Sequence, residues 1–150
     1  MDWSDLFLLL AIVGSGLVAG LCFAFASFIL QAFDQLDAPE AIRAMQAINQ
    51  RILRSAAMAV WMGTVVIGVI AVILAEEKIV AGTSTALYAL AALLITGRGN
   101  VPLNEELDRV DPAAPGADEA WRRYRVLWGQ WNAVRTVLCA LASAGFAGAL

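Results

Sequence analysis

The chain has 150 residues, 61% of them hydrophobic and 15% charged, with a mean hydropathy of +0.73 and a net charge of -3. That apolar excess points to helices immersed in lipid, and the length allows one domain, residues 1–150. The small acidic charge excludes a basic nucleic-acid footprint, and the lack of histidine excludes imidazole ligation of haem or zinc and a histidine base.

Residues 6–30 contain no charge. As a helix they extend roughly 37 Å at about 1.5 Å per residue, beyond a hydrocarbon core of about 30 Å. The segment before them, Met1-Asp-Trp-Ser-Asp5, is acidic, and the apolar run is too long for a signal peptide, so this first span should stay in the mature protein. Gly16, Gly20 and Ala24 recur every four residues along it, with Ser27 continuing the face. Small residues at this spacing let helices approach closely, here within the bundle, with a homo-oligomer contact as the alternative. Phe23, Phe25 and Phe28 are candidates for a flat apolar pocket wall, against the plainer reading of lipid-facing or core aromatics.

Asp37-Ala-Pro-Glu40 reads as a helix start, and helix 2 is predicted to run unbroken from there through Arg54 into a second span, residues 56–75. A third apolar run covers residues 79–96 and stops at Arg98. Asp111-Pro-Ala-Ala-Pro-Gly116 is a breaker cluster, and Asp118 is the expected N-cap of helix 4, whose residues 126–150 make a fourth span. The fold class is therefore all-α, a four-transmembrane-helix bundle with helices 2 and 4 extended into the cytoplasm.

Every arginine lies in the first or third connection or in the helix that follows it, whereas the rest of the loops and termini carry only Lys78. The positive-inside rule then places both long connections in the cytoplasm and both termini outside, in a bacterial-type inner membrane.

Polar residues cluster near the cytoplasmic end. Asn49 lies on the helix 2 stripe Ile42, Met45, Asn49, Ile52, and Asn132 on the helix 4 stripe Trp121, Arg125, Trp128, Asn132, Arg135. Asn100-Val-Pro-Leu-Asn104 lies between them, with Pro102 expected to break the backbone. Polar groups at membrane depth need partners or a cavity, so the cluster is a candidate site. The plain alternative is that the amides tie the helix ends together around the broken backbone. Cys22 and Cys139 read as buried thiols, and Glu105, Glu106 and Asp108 as a solvated acidic helix turn in preference to a metal site.

Together, Gln46-Ala-Ile-Asn49, Asn100-Val-Pro-Leu-Asn104, the glycine- and phenylalanine-rich first span and Trp128-Gly-Gln-Trp-Asn-Ala-Val-Arg135 resemble the anthrone-oxygenase-like family of small membrane proteins. The resemblance covers nearly the whole chain. It implies a four-helix membrane fold and oxidation of anthrones or polycyclic phenols by dioxygen, a monooxygenase reaction without cofactor or metal. In the oxygenase members a histidine is suspected of acting in catalysis, and this chain has none. Within such a site Arg135, Asn132, Asn100 and Asn104 are the expected catalytic group, stabilising an enolate or phenolate oxygen. Asn49, Gln46, Trp128, Trp131 and Phe23 are the expected substrate-binding group, and Glu105 is the nearest candidate base. The expected partners are the bilayer and a hydrophobic small molecule. The alternative function is non-enzymatic: binding such a molecule or a lipid, or serving as an accessory subunit of a partner membrane protein.

Overall fold

The computed structural model describes residues 2–150, which form five continuous helices and no strand among the described residues. They are α1 (Trp3–Phe33), α2 (Ala38–Ile52), α3 (Ala56–Leu74), α4 (Lys78–Asp108) and α5 (Ala117–Gly148). Three of them, α1, α3 and α4, are long and apolar enough to cross a membrane. Their outward faces carry exposed large apolar side chains such as Val13, Leu17, Val66 and Ile73, as lipid-facing helices require. The chain is a helical membrane protein.

Asp2 starts α1 with a reciprocal capping box, its Oδ1 accepting from the Asp5 N–H at 2.9 Å. The helix widens into a π turn at Phe25–Ile29. Its buried face is Leu8, Ala11, Gly14, Ser15, Val18, Ala19 and Cys22. The Gly16/Gly20 face expected to pack is not the tight one: Gly20 is exposed, with nothing within 4 Å of where a Cβ would stand. Gly14 takes that role, because a Cβ there would lie 2.1 Å from Thr64 Oγ1 of α3. Gly145 of α5 meets Ser84 Oγ of α4 in the same way, at 2.2 Å.

Asp37 caps α2 by accepting from the Glu40 N–H at 2.9 Å, with Pro39 in the first turn. The expected continuous helix from Asp37 into the second span is not formed. Ser55 stands in extended backbone, its Oγ accepting from the Met58 N–H at 3.4 Å and donating to Ile52 O at 2.7 Å. One hydroxyl satisfies both helix ends and makes a stable break between α2 and α3.

The third span also departs from expectation, running through Arg98 and Pro102 to Asp108 without interruption. Pro102 cannot donate to the preceding turn and crowds it. The eleven-residue π stretch Leu90–Asn100 precedes it, and its wider turns accommodate that misfit. The N-cap of α5 is Gly116, at φ +98° where L side chains are disfavoured, while Asp118 lies in the first turn instead of capping.

Helices α1, α3, α4 and α5 pack around one core, α1 against α3 and α5, and α4 against the same two. Leu8, Val18, Trp61, Tyr88 and Phe146 belong to the main cluster of this core. A second cluster, including Leu30, Ile42, Met45, Leu107, Trp121 and Trp128, joins α2 to the adjoining ends of α1, α4 and α5. A cavity lies where the two clusters meet.

Candidate functional site: a cationic cavity between two aromatic layers

The cavity measures about 240 Å³ and is lined from all five helices. Leu21, Ile48, Met58 and Met62 give it an apolar side, while Thr96, Asn100, Asn104, Asn132 and Arg135 give it a polar one.

Arg135 is its centre. This side chain belongs to a residue only 6% exposed, and its carbon Cζ sits 5.3 Å from the Trp61 ring centroid and 5.2 Å from that of Trp128. One guanidinium nitrogen donates to Asn132 Oδ1 at 2.9 Å and another to Thr96 Oγ1 at 3.4 Å. Among the described residues no carboxylate lies within ion-pair distance of it, and its Nε has no partner. The two indole faces supply cation–π attraction of about 0.5–2 kcal/mol each, far short of neutralising a desolvated charge.

The surrounding side chains hold Arg135 in place. Asn132 is held at both ends of its amide, its Nδ2 donating at 2.8 Å to Cys22 O while its Oδ1 receives the guanidinium. Trp61 is tied by its Nε1 to Ala92 O at 3.3 Å, and its own carbonyl accepts from Tyr88 OH at 3.0 Å. Trp128 packs between Phe25, at 5.3 Å between centroids, and Tyr124, at 6.1 Å. The Tyr124 hydroxyl donates to Asn104 Oδ1 at 2.9 Å. Asn100 donates its Nδ2 to Trp128 O at 3.3 Å.

Six of the nine site residues expected from the sequence line this cavity: Asn49, Asn100, Asn104, Trp128, Asn132 and Arg135. The other three do not. Phe23 is 60% exposed on the outer face of α1, and Phe25, three residues beyond buried Cys22, lines the cavity. Gln46 uses its Nε2 to satisfy Leu107 O and Val110 O at the end of α4, at 2.9 and 3.0 Å, which makes it a helix cap. Trp131 is 41% exposed and lies flat on Gly99 outside the cavity.

Glu105 and Asp108 both reach the rim. Glu105 faces Arg109 at 3.7 Å, whereas Asp108 accepts from Asn49 Nδ2 at 3.3 Å. Glu106 pairs with Arg123 away from them. The three acidic residues thus have three separate partners, and the described residues include no group of three placed to hold a metal ion. Trp61 escaped the sequence reading, although it is the one aromatic residue in the otherwise small and aliphatic run 56–74.

Residues 50–145 match the family model described as anthrone oxygenase. The chain belongs to the anthrone oxygenase family. No curated protein and no solved structure matches it. The anthrone oxygenase match takes in Trp61, Thr96, Asn100, Asn104, Trp128, Asn132 and Arg135, which form the polar wall and the indole pair, and leaves out the α1 and most of the α2 contribution to the cavity.

Proposed function

We propose that the protein is a cofactor-independent oxygenase that binds a flat polycyclic phenol or anthrone as its anion and delivers it to dioxygen. The observation that carries this reading is the buried guanidinium without a carboxylate, in contact with two indole rings on the wall of an aromatic-lined cavity. An enolate oxygen beside Arg135 receives charge-assisted hydrogen bonds in a water-poor setting, where they count most. Trp128 and Phe25 supply flat walls for the fused rings.

Ionisation removes a proton from the doubly benzylic carbon of an anthrone, and a rim carboxylate, Asp108 or Glu105, accepts it. The electron pair delocalises onto the carbonyl oxygen held by Arg135. The carbanion then reduces dioxygen, a carbon–oxygen bond forms, and cleavage of the resulting hydroperoxide releases water. The sum is anthrone plus dioxygen to anthraquinone plus water, which needs no external reductant.

A second reading has one observation in its favour. The carboxylates lining the cavity are exposed at its rim and none is buried beside Arg135, as a carrier or accessory protein that holds an anion without transforming it would have. Oxygen uptake by purified protein with a panel of anthrones and reduced quinones separates the two. Turnover in the wild type, lost in Arg135→Met, supports the oxygenase. Tight binding without uptake supports the carrier.

The membrane arrangement belongs to the same proposal: α5 crosses as a fourth span, and both termini lie outside a bacterial-type plasma membrane. Asp2, Glu76, Glu77 and Ala149 line one depression, which supports an even number of crossings, and the arginine-rich connections lie towards the opposite end. A cysteine introduced at exposed Ala113 should label only from the cytoplasm, and labelling from the periplasm alone overturns the orientation.

A further inference from the structure

Most of the cavity wall is buried or half-buried, so the lining residues that stand exposed mark its mouth. They are Leu53 in the α2–α3 joint, Met62 of α3, and Val101, Glu105 and Asp108 of α4. The mouth is a slot between the start of α3 and the second half of α4. These helices pack along the first half of α4 and diverge beyond it, where the π stretch Leu90–Asn100 begins.

The length of α3 sets the depth of the slot. Its 19 residues extend roughly 28 Å at about 1.5 Å per residue, close to the thickness of a hydrocarbon core of about 30 Å. Ala56 and Leu74 then lie near the two boundaries of the core, which puts Arg51, Leu53 and Arg54 in the headgroup layer. Met62 lies roughly 9 Å below that boundary at the same rise per residue. The facing edge of α4 reaches this depth too, because Ala92 O accepts from the indole of Trp61, the residue before Met62. The slot therefore opens sideways onto acyl chains.

Its edge is cationic. Arg109, Arg122, Arg123 and Arg125 each pair with a carboxylate, whereas among the described residues exposed Arg51, Arg54 and Arg98 have none. Arg51 and Arg54 flank Leu53, and Arg98 stands three residues ahead of Val101 on α4. The acidic groups on the rim are already engaged, Glu105 by Arg109 at 3.7 Å and Asp108 by Asn49 Nδ2 at 3.3 Å. They also lie farther along α4 than Val101, on the water side of the headgroups.

We propose that the slot is a binding site for an anionic phospholipid of the surrounding leaflet, with its phosphodiester on Arg51, Arg54 and Arg98 and one acyl chain across Leu53, Met62 and Val101. The occupant must be an amphiphile of net negative charge. A soluble anion satisfies the arginines and leaves the apolar gap empty, while a zwitterionic lipid fills the gap but brings its own cation beside the phosphate. Arginine suits the headgroup, since its planar fork donates to two phosphate oxygens at once. The seated chain closes the cavity towards the bilayer, and a molecule entering laterally exchanges with it. None of Arg135, Asn100 and Asn132 takes part, so the site stands whether the cavity oxidises its ligand or carries it.

Fluorescence quenching of the full-length protein in phosphatidylcholine nanodiscs tests this. Met62→Cys carries a bimane label, the native Cys22 and Cys139 being buried, and Val101→Cys repeats the reading from the other lip in case one label obstructs the slot. A label at exposed Val13 of α1 reports bulk lipid. Mid-chain-brominated phosphatidylglycerol and brominated phosphatidylcholine are compared as quenchers at equal mole fraction. Phosphatidylglycerol should associate at the slot about tenfold more strongly, as two or three arginines worth about fivefold each imply, and both lipids should quench alike at Val13. Arg51→Gln/Arg54→Gln should remove most of the preference, and adding Arg98→Gln the remainder. Arg43→Gln should leave it intact, because Arg43 is also exposed and without a carboxylate but does not flank Leu53. Equal quenching by the two lipids at both slot labels, a preference as strong at Val13, or one that survives loss of all three arginines overturns the site. So does a loss as large in Arg43→Gln, which would make the effect general surface charge. Abolition of the preference by inorganic phosphate shows that the arginines hold a free anion, and overturns the lipid as occupant.

Discussion

Gly99 is the position at which bundle packing and cavity geometry meet, and Gly99→Ala tests how they are coupled. A Cβ there would stand 2.6 Å from Trp131 Cδ2, 2.7 Å from Cγ and 3.0 Å from Cε2, about 1 Å inside ordinary carbon contact. Cγ and Cδ2 lie near the root of the indole, so a rotation of the far end of the side chain cannot clear them. Either Trp131 leaves its rotamer or α4 and α5 move apart. Overpacking of this kind costs about 1–3 kcal/mol. The neighbouring bond from Asn100 Nδ2 to Trp128 O is already long at 3.3 Å, and a separation of a few tenths of an ångström removes it, adding about 0.5–1.5 kcal/mol. The expected loss is therefore about 1.5–4.5 kcal/mol, a fall of roughly 3–18 °C in melting temperature for a chain of this size. Thermal melts of the purified protein measure it. Adding Trp131→Ala to Gly99→Ala should recover most of the loss, because the obstacle is gone. A Gly99→Ala protein that melts with the wild type refutes the reasoning, and so does a double variant no more stable than the single one.

Arg135→Met should leave melting temperature unchanged or raise it. The variant loses two hydrogen bonds and two cation–π contacts but relieves a buried charge whose desolvation costs several kcal/mol, whereas a guanidinium serving as a structural tie would cost about 3–5 kcal/mol when removed. Ser55→Ala should destabilise the protein by about 1 kcal/mol in the same melts, through loss of the α3 cap. It should also raise protease sensitivity between Ile52 and Ala56, and unchanged cleavage there would count against the joint.

Much of the helical layout was legible because lipid imposes long uncharged runs, and those runs are explicit in the sequence. The cluster at Asn100, Asn104, Asn132 and Arg135 was legible for a related reason, since polar groups at such depth are expensive and stand out. What the sequence concealed were departures from ideal helix geometry. The π turns at Phe25–Ile29 and Leu90–Asn100 change the phase of α1 and α4 beyond them, whereas Phe23 and Trp131 lie on regular α-helix and already fall off the buried stripes of α1 and α5. Pro102 signalled a break, yet wide turns absorbed the misfit across eleven residues and kept α4 whole. The joint at Ser55 was hidden because a serine between two apolar stretches fits equally well inside a helix or at its start. The donor and acceptor roles of Asn100 depend on which of its atoms Trp128 O occupies, a fact of geometry that residue type does not encode.

The wide turns also give the backbone a share in the site. The carbonyl of Cys22, just ahead of the first π turn, receives Asn132 Nδ2, and those of Ala91 and Ala92, inside the second, receive Thr96 Oγ1 and Trp61 Nε1. The posts that hold the visible polar side chains are thus peptide oxygens belonging to cysteine and alanine. Any small residue supplies the same oxygen, so these positions are free to drift in identity while their coordinates stay fixed. A search for the site among invariant residues passes over its foundations.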